Sequence, residues 1–168
     1  MRHGDPLQRE LDWLAASIVG MPIALYALAF IAFVVTRAGF WAVGTQGDPP
    51  PLSVFTRTLF AIAVANLAVG GGIGWWLSRR ADHLTAPLPA ARRAFLATML
   101  AAVTGLEATL LGVVAAVVTR TPALVTPYFT LTAAFFFVVW HLMGRGRQLI
   151  REASQHRSRE VKPDDIDN

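Results

Sequence analysis

The sequence predicts an all-α, polytopic membrane protein. The expected fold is four transmembrane helices in an antiparallel bundle, with the N- and C-termini cytoplasmic. Three observations carry that prediction. Four long apolar stretches fill most of the 168 residues. Charged residues are 15% of the chain and hydrophobic residues 54%, whereas a soluble domain carries about 25% charged residues. The basic residues gather just outside the apolar stretches, and more of them on one side than on the other.

The first span covers about residues 13–36. It is longer than a signal-peptide core and has no cleavage-type sequence after it. Asp5-Pro6 reads as a helix start, with Asp capping free N–H groups and Pro in the first helical position. Leu7, Leu11 and Leu14 then share a face, so the helix is expected to begin on the membrane surface and enter at Trp13. Pro22 removes one backbone donor and is expected to bend the span.

The second span, about residues 58–78, ends in a glycine-rich run before Trp75 and Trp76. Gly70 and Gly74 form a GxxxG pair, which lets helix backbones approach where packing rather than water exclusion joins helices. The two tryptophans suit the headgroup boundary. The glycines follow no soluble strand and lack the Walker lysine, so a phosphate-cradling loop is not expected.

The third span, about residues 94–119, repeats small side chains at helical spacing: Ala101, Gly105, Ala108, Gly112 and Ala115. The fourth, about residues 127–143, opens on Pro127 in a first-turn position. Phe135, Phe136 and Phe137 fill lipid or core, and Trp140 and His141 approach the interface. This helix is expected to run on to about Arg151 outside the membrane. Residues 1–153 thus form one four-helix domain. Residues 154–168, charged and without apolar periodicity, are expected to be a disordered cytoplasmic tail. Each span meets or approaches the roughly 20 residues needed to cross about 30 Å of hydrocarbon.

Orientation follows from arginine. Arg79, Arg80, Arg92 and Arg93 flank the middle connection, and the tail carries Arg145, Arg147, Arg151, Arg157, Arg159 and Lys162. The other connections hold only Arg37, Arg57 and Arg120. The positive-inside rule places the middle connection and both termini in the cytoplasm. The segment from Gly39 to Phe55, with its Gly47–Pro51 stretch, then faces outward as an extended connector, and Phe40 and Trp41 rest on the interface. Abundant Ala, and Arg in place of Lys, suggest a GC-rich bacterial genome, which makes the inner (cytoplasmic) membrane the expected location of this multi-pass chain.

Composition removes several functions. With no cysteine, disulfides, thiolate metal sites and cysteine nucleophiles are excluded. The net charge of +4 reflects membrane orientation, and no interleaved basic and aromatic face points to nucleic acid. Of the four histidines only His141 lies in or beside a span, so no haem or other cofactor is expected, and no metal-binding motif appears. Ser17 and Ser53 lack acid–base partners in sequence, and Asp82-His83 reads as a solvated loop.

What remains is a polar pair. Glu107 lies near the middle of the third span and Asn66 near the middle of the second, so antiparallel neighbours bring them to one depth. A carboxylate at the bilayer centre costs on the order of a few kcal/mol on insertion scales, and must be protonated, paired or wet. Asn66 can donate a hydrogen bond to it. At about 100° per residue, Glu107 stands roughly 120° around the helix from the small-residue seam, on the side of Thr104, Leu111 and Val114. Seam and carboxyl therefore meet different neighbours: either a second subunit covers Glu107, or it lines a cavity among the four helices. Two functions follow as expectations. One is a non-enzymatic accessory or assembly subunit of a membrane complex. The other is a small oligomeric transporter or channel, proton- or cation-coupled, using Glu107, Asn66 and Thr104. The expected partners are the lipid bilayer and either further copies or other membrane subunits.

Overall fold

A computed structural model describes residues 6–38, 54–81, 83–84 and 87–160. These residues form four long helices: α1 (Pro6–Ala38), α2 (Val54–Ala81), α3 (Pro87–Val118) and α4 (Val125–Glu160), with a single 3-10 turn at Pro122–Leu124 before α4. All four are long and apolar enough to cross a membrane. Even α2, the shortest at 28 residues, is about 42 Å long at 1.5 Å per residue.

The helix ends follow local chemistry. Pro6 is the first residue of α1, where its missing N–H is no loss. Asp5 lies outside the described residues, as do the Gly39–Ser53 connector and the chain beyond Glu160. Pro22 is buried inside α1, which continues through it as helix. Between α3 and α4, Arg120 takes a left-handed φ of 54° to close α3. The Thr121 N–H then reaches the Ala116 carbonyl at 2.9 Å and the Arg120 N–H reaches Val117 at 3.2 Å, a cap that usually employs glycine. Pro127 falls in the first turn of α4, as expected.

α4 runs on as helix to Glu160, well into the segment expected to be a disordered tail. The reason is packing. Ile150 and Ala153 are buried against Leu11, Leu14, Ile18 and Ala91, so the start of α1, the start of α3 and the extramembrane part of α4 share one apolar cluster. Residues 154–160 are Ser, Gln, His, Arg, Ser, Arg and Glu, and of these Gln, Arg and Glu are good helix formers.

α3 is the central helix. It packs against α1, α2 and α4, while α1 and α2 have no contact with each other among the described residues. Small side chains make this possible: Ala94, Ala97, Ala101, Ala102, Ala108, Ala115 and Ala116 are all buried on α3, and they face several directions. Large apolar side chains such as Leu28, Phe30, Ile31, Val69 and Phe137 point outward instead. A small-residue interior with bulky apolar residues outside is the pattern of a chain solvated by lipid.

Candidate functional site

The site is built from the α2–α3 contact. A Cβ on Gly74 would stand 3.1 Å from the Ala97 carbonyl oxygen, and one on Gly70 would overlap the Thr104 side chain. The two missing side chains let the helices close up there. One turn before Gly70 along α2, Asn66 reaches across to α3, and its Nδ2 donates to Glu107 Oε1 at 2.7 Å. The sequence-predicted pair is therefore in direct contact. Glu107 is exposed and Asn66 half-buried, so the carboxyl sits on the outer surface beside α2 and not among the four helices.

Thr104 stands apart from this pair chemically. Its hydroxyl donates within α3, at 2.9 Å from the Ala101 carbonyl and 3.2 Å from that of Leu100. Its part is steric, filling the space above Gly70. The small-residue row lies on the packed side of α3. Ala101, Gly105, Ala108 and Gly112 are all buried. A Cβ on Gly105 would lie 2.7 Å from Tyr26 Oη, and one on Gly112 would lie 2.6 Å from Tyr128 Cβ.

A second polar group occupies the α3–α4 contact and was not singled out from sequence. Thr109 Oγ1 donates to Thr132 Oγ1 at 2.9 Å, and Thr132 Oγ1 lies 2.8 Å from the Gly105 carbonyl it donates to. Both threonines are fully buried. The available signal was the row Ala101, Gly105, Thr109, which puts Thr109 on the packed face of α3. Tyr128 adds a third link, donating to the Thr56 carbonyl at 2.9 Å and so tying α4 to the first turn of α2. Tyr26 differs: its buried hydroxyl has no partner among the described residues.

At the arginine-rich end, aromatic rings hold the cations. The Arg79 guanidinium lies 5.2 Å from the centre of the Trp75 ring, and that of Arg80 lies 4.5 Å from Trp76. His141 stacks on Trp75 with ring centres 5.6 Å apart, which makes it part of an interfacial stack. Outside the apolar stretches, Arg92 Nε donates to Glu10 Oε1 at 2.6 Å, joining α1 to α3. That hydrogen bond, and then the arginine's charge, hold the Glu10 carboxyl below its ordinary range. Both groups reach solvent, so the pair adds little to stability.

A carboxyl hydrogen-bonded to a carboxamide can hold a proton, coordinate a cation weakly, or bond to another chain. It is not a nucleophile–base arrangement. No family model, curated protein or solved structure matches the chain.

Proposed function

We propose that the chain is a non-enzymatic accessory or assembly subunit of a membrane complex, acting through contacts inside the bilayer. One observation carries this reading: the Asn66–Glu107 pair lies near the middle of its helices yet faces out of the bundle. Hydrocarbon cannot satisfy a carboxyl, whereas a polar group on another protein chain can. In this reading the helices run antiparallel. The pairs Asn66–Glu107, Gly70–Thr104 and Gly74–Ala97 support that, since they descend α3 as they ascend α2. The arginine asymmetry supports cytoplasmic termini in an inner membrane.

The test is purification from the native membrane in mild detergent, with mass spectrometry of the co-purifying chains. The expected result is a stable assembly that survives Glu107→Gln, which keeps hydrogen-bonding capacity, and dissociates with Glu107→Ala. A chain that purifies alone and carries out pH-dependent transport abolished by Glu107→Gln establishes the carrier reading instead. That alternative uses the same carboxyl and needs several copies around it, because in one chain Glu107 faces outward.

A further inference from the structure

The three neighbours of α3 leave one side of it open, and that side has a regular spacing. Between Ala94 and Val117 the exposed residues of α3 are Leu96, Val103, Glu107, Leu110, Val114 and Val117, and no others. Leu96, Val103, Leu110 and Val117 recur every seventh residue and are 47–57% exposed. Half-buried Leu100, then Glu107 and Val114, repeat with the same period between them. Together they alternate steps of four and three along α3, the spacing of a knobs-into-holes seam. Glu107 is its middle member and its only polar one.

We infer that this seam is the interface with a second copy of the same chain, packed α3 against α3 about a two-fold axis along the membrane normal. The inference rests on the proposed subunit reading and names the partner at the Glu107 face. Two copies inserted the same way have parallel α3 helices, so an in-register heptad seam sets like position against like position. Glu107 then meets its counterpart at one depth.

Hydrogen-bonding capacity fits a self-complementary contact. Within the chain, Glu107 Oε1 accepts from Asn66 Nδ2. The second carboxyl oxygen and Asn66 Oδ1 have no partner among the described residues. The Asn66 carboxamide carries a second N–H, a donor beside that unfilled carboxyl oxygen, and a second copy presents the same pair reversed. A lone polar residue in an apolar heptad seam also fixes register, because any slip leaves it facing Leu or Val.

The chain has no cysteine, so single cysteines report contacts without background. The experiment is oxidative cross-linking in native membranes of Val103→Cys and Leu110→Cys on the seam, with Phe137→Cys on exposed α4 as the control. The expected product from both seam positions is a dimer of twice the 18.2 kDa chain, at about ten times the yield from the control. Adding Glu107→Ala to Val103→Cys should weaken cross-linking about tenfold, and Glu107→Gln should retain it. Equal yields at Val103 and Phe137, or insensitivity to Glu107→Ala, overturn the inference. A seam product containing a different chain also overturns it while leaving the subunit reading standing. No product at the seam, from a chain that also purifies alone, overturns both.

Discussion

Gly105 is the residue on which the packed side of α3 turns. Its carbonyl accepts the Thr132 hydroxyl, and its missing side chain makes room for the Tyr26 ring. The Tyr26 hydroxyl points into that room without a partner among the described residues. A buried hydroxyl that makes no hydrogen bond costs about 1–3 kcal/mol in desolvation, so it adds bulk and no bonding. Gly105→Ala should therefore destabilise the protein by roughly 1–3 kcal/mol through overpacking against that hydroxyl. Tyr26→Phe alone should be neutral or stabilising. Combined, the two changes should be non-additive, with the phenylalanine recovering part of the alanine's cost. Thermal unfolding of the four variants in one detergent measures this. Strict additivity would mean that the Tyr26 hydroxyl is not what crowds Gly105.

At the scale of elements, α2 shows how one glycine differs from another two residues away. Gly70 and Gly74 lie in the α3 contact, whereas a Cβ on Gly72 would meet nothing within 4 Å. Gly70→Val should separate α2 from α3, lower the unfolding temperature and break the Asn66–Glu107 hydrogen bond one turn away. Gly72→Val should leave both unchanged, since it points outward. Comparing melting curves and the helix–helix distance by spin labels decides between them. Equal damage from both would mean that glycine serves backbone flexibility there rather than close approach. This distinction was legible in the sequence because close packing calls for small residues at four- or seven-residue spacing, which Gly70 and Gly74, and Ala101, Gly105 and Gly112, follow. The Asn66–Glu107 contact was legible for a similar reason, as two polar groups at matching depth on neighbouring spans. The Thr109–Thr132 link was not, because a threonine in an apolar helix can also bond its own backbone, as Thr104 does. Nor was the open side of α3. Which face stays uncovered depends on α1 and α2 avoiding each other, and periodicity within one helix contains nothing about that. The last turns of α4, beyond Ala153, were not legible, because residues 154–160 are charged and polar without apolar periodicity, and the packing of Ile150 and Ala153 on α1 that carries the helix outward lies before them.

For the whole molecule, charge and depth combine into one proposed orientation. Arg79, Arg80, Arg92, Arg145 and Arg147 belong to the helix ends that share one side of the bundle, as the Glu10–Arg92 pair and the Trp75–His141 stack indicate. Arg57 and Arg120 stand at the opposite ends of α2 and α3. Moving the arginine-rich end across the bilayer would carry many permanent charges through hydrocarbon, whereas the other end carries few, and this difference sets the direction of insertion. Two exposed positions test it in the cysteine-free chain: Ala123, in the 3-10 turn before α4, and Gln148, on α4 beyond the apolar stretch. With a membrane-impermeant thiol reagent on intact cells, Ala123→Cys should label at once, and Gln148→Cys only after the membrane is opened. The reverse pattern would turn the chain over without disturbing its packing. Labelling of both before opening would put the two ends of α4's apolar stretch on one side of the bilayer. The depth assigned to Glu107, and the case for a protein neighbour there, would then fail together.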